Sequence, residues 1–333
     1  MLSTVLPEKI AKRLRLPLIA APMLSVSGPD LAIAACKAGV IGSFPLANAR
    51  SIEGVEAWLK QIETALGEAA EKTPEHSPDL APAPFCPNLI IKRAEMRAEL
   101  AALVRHRVEM VITSVGSPAE VLGPLHDVGT IVFADVATIH HAEKAIAAGV
   151  DGLILLTAGA GGQTAWLNPL AFVRATRAIF DGPIVLAGGI SDGAALWAAE
   201  ILGCDLAYMG TKFIATEESM AAPAYKEMLV QSGMDDVMLT QAFTGLDTNM
   251  LTPSMIAAGL DPKTLPPRVS HEEAAKKFGG MGERGGPRRY KDIWSAGHSV
   301  SGVERIQSAG ELVERTLAEY VEARERTVRM LSV

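Results

Sequence analysis

The sequence predicts an α/β protein, a (β/α)8 TIM barrel with a small, mainly helical insertion and a C-terminal substrate domain. Two observations predict this fold class. Eight short apolar runs occur before residue 212, and helical patterns separate them. The runs are almost continuously apolar, which indicates strands buried on both faces of a parallel sheet. Eight strands alternating with helices indicate a closed barrel, and a doubly wound open sheet is the alternative.

The predicted strands are, in chain order, 16–23, 39–45, 85–91, 109–115, 130–138, 152–157, 183–190 and 206–211. Helical patterns cover 30–38, 51–70, 94–107, 118–128, 140–148, 169–180 and 192–202. A proline-rich stretch at 73–87 breaks the alternation, and it predicts an extended connection before the third strand.

Three regions follow from this pattern: 1–231 as the barrel, 232–289 as an insertion, and 290–333 as a C-terminal segment and helix that return to the barrel. The insertion contains turn-forming dipeptides and a glycine-rich tract at 278–287. We expect it to form short helices and loops over the barrel mouth. A charged amphipathic helix over 311–330 ends the chain, and it leaves a homodimer open.

Composition excludes several classes of function. The net charge of -7 and the lack of a basic patch argue against a nucleic-acid partner. Cys36, Cys86 and Cys204 show no C-x-x-C spacing, so neither a zinc site nor a disulfide framework is indicated. The seven histidines form no H-E-x-x-H motif, and we expect no metal. Without a run of eighteen apolar residues, we expect a cytoplasmic protein that does not enter a membrane.

The seventh and eighth predicted strands both end on glycine, at Gly188-Gly189 and at Gly210, and helical patterns follow. Glycine lets backbone amides approach a ligand that a Cβ atom would keep away. Two such ends on neighbouring parallel strands form a cup of N–H donors, and a helix N-terminus adds a positive dipole. In β/α barrels the loops after strands seven and eight are a frequent phosphate site. We therefore expect a phosphorylated ligand here.

Other strand ends also carry candidate ligand contacts. The loop after the sixth strand, 157–166, holds three glycines whose amides could face a flat ligand, although a simple turn explains them equally well. The first strand ends Ala21-Pro22-Met23, which leaves room for a planar ring. Asn88 and Asp135 interrupt apolar strands, and polar groups this deep need partners in the core or in a ligand.

Residues 189–193 also match the G-x-S-x-G nucleophile elbow. A serine hydrolase would use Ser191 with His271 or His298 downstream. The phosphate cup explains the segment better, because Ser191-Asp192 then caps the next helix and six β/α units precede the motif. A barrel that binds a phosphorylated ligand without catalysis is a further alternative from a different class.

Eight short motifs, in this order, resemble those of the nitronate monooxygenase family, formerly called 2-nitropropane dioxygenases. They are AAPM at 20–23, GSFP at 42–45, PNLI at 87–90, FADV at 133–136, AGAGG at 158–162, LAGGI at 186–190, MGTKF at 209–213 and DIWSAG at 292–297. The resemblance covers nearly the whole chain and implies an FMN-binding (β/α)8 barrel. The chain is most similar to a branch described as NADH:quinone reductases.

The resemblance implies roles for the matching residues. Gly188, Gly189, Gly210 and Thr211 would hold the FMN phosphate, and Asn88 would bond the polar edge of the flavin. The residues expected to pack along the isoalloxazine are Ala21, Pro22 and Met23. Those expected to line its other side are Ala158, Gly159 and Gly162, with Ser114 and Asp135 as further neighbours. The residues expected near the substrate are Trp166, Ser295 and His298.

Gln163 departs from the family, in which many members carry a catalytic histidine at this position. Glutamine donates and accepts hydrogen bonds but takes no proton near pH 7. Abstraction of a proton from a neutral nitroalkane should therefore be poor. An anionic nitronate needs no base, and neither does hydride transfer from a nicotinamide. We expect an FMN-dependent oxidation of alkyl nitronates by O2, with NAD(P)H:quinone reduction as the alternative and enoyl-thioester reduction less favoured.

Overall fold

The computed structural model describes residues 5–73, 81–278 and 287–331. Eight parallel strands close into a barrel, which confirms the predicted fold class. The barrel strands are β1 (Leu18–Ala20), β2 (Ile41–Pro45), β3 (Phe85–Ile90), β4 (Met110–Ser114), β5 (Ile131–Val136), β6 (Gly152–Leu156), β8 (Ile184–Ala187) and β9 (Leu206–Met209). Pairing of β9 with β1 closes the ring. Parts of the proline-rich stretch and of the glycine-rich tract lie outside the described residues.

Helices separate the barrel strands as the periodicity predicts, and further helices lie before β1 and after β9. They are α1 (Glu8–Ala11), α2 (Pro29–Lys37), α3 (Ile52–Glu71), α4 (Met96–Arg105), α5 (Ala119–His126), α6 (Ile139–Ala148), α7 (Pro169–Arg177), α8 (Gly193–Leu202), α9 (Thr211–Ile214), α10 (Pro223–Gln231), α11 (Thr252–Ala257), α12 (His271–Phe278) and α13 (Ala309–Leu331). Side-chain caps fix several starts: Ser51 caps α3, Thr138 caps α6 and Asp192 caps α8.

The barrel has two cores because successive side chains of a strand point to opposite faces. On β5, Val132, Ala134 and Val136 face the surrounding helices, whereas Phe133 faces the barrel interior. The interior also holds Ile10 of α1, at its amino-terminal end. With that end packed by α1, the carboxyl ends of the strands form the mouth of the barrel.

A second sheet lies outside the barrel. It contains β10 (Val237–Thr240), β11 (Thr248–Leu251) and β7 (Gly162–Gln163), in the order β10-β11-β7. All its pairings are antiparallel. The segment 232–289 therefore contains two strands besides helices, and these strands are a departure from the helices and loops expected there. Through β11 this segment is hydrogen-bonded to the loop that follows β6.

The C-terminal helix α13 packs mainly on α8. The two helices approach closely at Gly193, where a Cβ atom would lie 2.1 Å from the backbone nitrogen of Tyr320. Tyr320 and Leu312 of α13 are buried in the outer core, so this helix packs against the outside of the barrel. A homodimer stays a prediction. In the described ranges, the helices are too short or too polar to cross a membrane.

Candidate active site

The predicted glycine cup, which consists of Gly188, Gly189, Gly210 and Thr211, forms at the barrel mouth. Gly188 and Gly189 have φ angles of 131° and 77°, which disfavour any residue with a Cβ atom. Among the described residues, the amides of Gly188, Gly189 and Gly210 have no hydrogen-bond acceptor. A Cβ atom at Gly189 would meet no protein atom within 4 Å. The cup therefore holds N–H donors without protein partners, and open space lies beside Gly189.

The cup adjoins the end of the first strand. A Cβ atom at Gly210 would lie 3.5 Å from Met23 Sδ and 3.6 Å from Ala21 Cβ. Pro22 lies between these two residues in the chain and extends the same wall. The predicted ring-packing residues and the predicted phosphate residues are therefore neighbours at the mouth, as one ligand with a ring and a phosphate requires.

The segment 292–302, called the return segment below, folds back onto the loop 157–166. The Gly297 N–H donates to Thr211 Oγ1 (2.9 Å), and the His298 N–H donates to the Gly159 carbonyl (2.9 Å). A Cβ atom at Gly159 would lie 2.9 Å from His298 Nδ1, and one at Gly162 would lie 3.9 Å from Ser295 Oγ. The glycines of this loop thus permit close packing of the return segment, and they bring Ser295 and His298 to the site.

Gln163 and Trp166 lie on the outer part of the mouth. Gln163 pairs with Thr248 across β7 and β11, and its side chain is exposed. Trp166 is 80% exposed. Ala158, at the start of the loop, donates its N–H to the Leu167 carbonyl (3.0 Å), which closes the base of the loop. Both predicted outer contacts are therefore accessible to a substrate that arrives from solvent.

Four polar side chains form the floor of the mouth, and they are Asn88, Ser114, Asp135 and Tyr208. Asn88 Nδ2 donates to Ser114 Oγ (3.0 Å) across β3 and β4. Asp135 Oδ1 and the Tyr208 hydroxyl are buried and have no partner among the described residues. Burial raises the pKa of Asp135 to about 7. Tyr208 is not among the residues predicted for the site, although a tyrosine in an apolar strand needs a partner for its hydroxyl.

A cavity of about 270 Å³ opens beside the cup and is lined by Ser191, Lys212, His298 and Arg315, among others. Lys212 is almost fully buried, and burial lowers the pKa of its amine. Its Nζ donates to the Ser191 carbonyl (2.8 Å), which ties the β8 loop to α9. Lys212 is not among the predicted site residues either, and its place between Thr211 and a phenylalanine was the available signal.

The hydrolase alternative finds little support in this geometry. Asp192 caps α8 and accepts from the Ala195 N–H (2.7 Å), as the phosphate-cup interpretation predicts. Within the described side chains, no base is hydrogen-bonded to the Ser191 hydroxyl. The side chain of His271 lies outside the described part of the chain. Without a neighbouring base, a serine hydroxyl is a weak nucleophile.

A family model described as nitronate monooxygenase matches residues 7–319. The chain belongs to this family. It is 27% identical to a nitronate monooxygenase of Paraburkholderia phytofirmans, over 92% of this chain and 93% of that protein. A solved nitroalkane oxidase of Streptomyces ansochromogenes superposes with a TM-score of 0.76 at 25% identity, covering 96% of this chain and all of that one.

The structure of FabK from Thermotoga maritima shows the same fold, with a TM-score of 0.78 at 22% identity over 99% of this chain and 100% of that chain. Family membership confirms the resemblance that the eight motifs predicted. It makes this chain an oxidoreductase of the nitronate monooxygenase family, with a flavin as the cofactor and small molecules as substrates.

Proposed function

We propose that this protein is an FMN-dependent oxidoreductase that oxidises alkyl nitronates with O2. The observation that carries the proposal is the cup of free amides at the ends of β8 and β9, in a chain of this family. Unpaired backbone donors near a helix N-terminus suit a phosphate. Riboflavin carries no phosphate and would leave these donors unused, and this favours FMN as the flavin.

The proposed FMN contacts divide between the phosphate and the ring. Gly188, Gly189 and Gly210 would donate backbone N–H groups to the phosphate. The Thr211 hydroxyl accepts from Gly297, so its own proton remains available to a phosphate oxygen. Lys212, bonded to the β8 loop, would add positive charge from behind the cup.

The ring would lie between the end of β1 and the loop 157–166. Its proposed neighbours along one side are Ala21, Pro22 and Met23. Those along the other side are Ala158, Gly159 and Gly162. The residues proposed for its polar edge are Asn88, Ser114 and Asp135. Asn88 already holds Ser114, so both side chains are oriented before the ring binds.

When bound, FMN would supply the redox chemistry, taking electrons from the substrate carbon and passing them to O2. The protein would orient the substrate and exclude water. The Gln163 amide would donate a hydrogen bond to a nitronate oxygen, and it would abstract no proton. Trp166, Ser295 and His298 would surround the substrate at the outer mouth. The insertion 232–289 would act as the substrate-side region, since β11 sets the position of Gln163.

Gln163 is also compatible with NAD(P)H:quinone reduction, because hydride transfer from a nicotinamide requires no base. An anaerobic experiment separates the two activities. The flavin-loaded protein is mixed with NADH or NADPH in one sample and with ethyl nitronate in another, while flavin absorbance is followed. Bleaching by the nitronate alone supports the proposal. Rapid bleaching by a nicotinamide supports the quinone reductase, and a protein that takes up no flavin contradicts both.

A further inference from the structure

Two buried polar atoms near the barrel mouth have no hydrogen-bond partner among the described residues. One is Asp135 Oδ1, and the other is the Tyr208 hydroxyl. An unpartnered polar atom inside a protein is costly, because it has lost its water without gaining a protein partner. Tyr208 is 8% exposed, so its hydroxyl has no ready access to solvent. The fold retains two unpaired hydrogen-bonding atoms in one region.

Both side chains point into the barrel at its open end. Tyr208 packs in the interior core, and so does Phe133, two residues before Asp135 on the same face of β5. Asp135 and Tyr208 are each the last residue but one of their strands, so both lie next to the mouth. Asp135 as a whole is partly exposed although its Oδ1 is buried, so another part of the residue reaches the open mouth.

We propose that Asp135 and Tyr208 form a hydrogen-bond donor site for carbonyl oxygens on the buried side of the flavin ring, and that Asp135 takes up a proton when the ring binds. The inference rests on the proposed function and deepens it. A phenol hydroxyl donates one hydrogen bond, and a protonated carboxyl donates another. A carboxylate would instead repel a carbonyl oxygen, so binding favours the protonated form.

The surroundings support a proton on Asp135. The titratable groups coupled to it in the described interior are Tyr208 on β9 and Cys86 on β3. Burial raises the pKa of both groups, so each is neutral near pH 7. In the part of the chain that the structure describes, no positive charge opposes the burial of Asp135, whose pKa rises to about 7. The proton comes from solvent and returns to solvent when the ring leaves.

The test uses riboflavin, which carries the ring without a phosphate that titrates. Its Kd is measured by fluorescence quenching between pH 6 and pH 8.5. With a pKa of about 7 in the free protein, the wild-type Kd should rise roughly tenfold from pH 6 to pH 8. Calorimetry at pH 7.5 in two buffers of different ionisation enthalpy should show uptake of roughly three-quarters of a proton per riboflavin.

Variants separate titration from packing. Asp135→Asn keeps a donor but cannot titrate, so its Kd should stay near the low-pH wild-type value at every pH. Tyr208→Phe should weaken binding about fivefold, equally across the pH range. Thr176→Val is the matched control: it removes another buried unpartnered hydroxyl, located on α7 away from the mouth, and should leave the Kd unchanged.

The outcomes distinguish this inference from the proposed function. If the wild-type protein binds neither riboflavin nor FMN, the proposed function fails. If it binds riboflavin with a Kd independent of pH and without proton uptake, the inference is overturned and the proposed function stands. The same follows if Asp135→Asn retains the wild-type pH dependence. Calorimetry on the wild-type protein decides the matter even if a variant does not fold.

Discussion

Replacing each glycine of the β8 loop by alanine should separate a folding role from a binding role. At Gly188 a Cβ atom would lie 2.5 Å from Thr157 Oγ1. Thr157 is fully buried and its hydroxyl donates to the Ala187 carbonyl (2.9 Å), so it cannot move without losing that bond. At Gly189 the same atom would meet open space. The two substitutions therefore add one methyl group each to very different surroundings.

The magnitudes follow from this geometry. For Gly188→Ala, a strained φ of 131° and a lost hydrogen bond should lower the free energy of unfolding by about 2–4 kcal/mol. For Gly189→Ala, with a φ of 77°, only backbone strain of about 1 kcal/mol is expected. The new methyl group would occupy the space in front of the cup. The Kd for FMN should then rise at least about tenfold, while the Kd for riboflavin should not change.

Urea denaturation of the flavin-free protein and fluorescence titration with both flavins measure these effects. Thr157→Ala combined with Gly188→Ala should be less destabilising than the two single changes added, because Thr157 Oγ1 is the atom that clashes. Equal loss of stability in the two glycine variants would refute the reasoning about Gly188. A Gly189→Ala variant that loses riboflavin affinity as strongly as FMN affinity would refute the phosphate cup.

Three further predictions follow. Gln163→His should add a proton acceptor at this position. The rate of oxidation of neutral nitroethane should then be at least about tenfold higher than in Gln163→Ala, and it should increase as pH rises through about 6.5. An unchanged nitroethane rate would contradict the assigned position. Arg177→Ala should lower the free energy of unfolding by about 3 kcal/mol, because Arg177 pairs with buried Asp205 (2.6 Å). Urea denaturation measures this change, and a loss below about 1 kcal/mol would contradict the prediction. The pKa of Asp135 is about 7 in the folded protein, whereas an unperturbed aspartate has a pKa of 3.8. The protonated carboxyl therefore contributes its full stability below pH 3.8, and that contribution is lost as pH rises through 7. Asp135→Asn should therefore be the more stable protein at pH 8 by up to about 4 kcal/mol, and equal stabilities at pH 8 would contradict the burial of this carboxyl.

The barrel could be predicted from the sequence because its strands are buried on both faces. Such strands are almost continuously apolar, and two of them, β8 and β9, end just before a glycine, at Gly188 and Gly210. All eight predicted strands overlap a strand of the barrel. The phosphate cup followed from the same ends, since parallel strands bring their carboxyl ends to one edge.

The second sheet could not be predicted by the same reasoning. β7 has two residues, too few for any periodicity, and its partner β11 lies far along the chain. Pairing over such a distance depends on where the barrel places the two segments. The contact of Gly297 with Thr211 has the same origin. Tyr208 is a different case, because an isolated tyrosine in a strand is more often part of the core than of a site.

The pairing of β7 with β11 has a consequence for the order of synthesis on the ribosome. Every strand of the barrel has been translated when the chain reaches Met209. Gln163 gains its partner only after Thr248 emerges, and Gly159 accepts from His298 later still. A nascent chain can thus close its barrel while the loop that carries Gln163 is still unanchored. Completion of the mouth therefore requires residues that are translated after the last strand of the barrel.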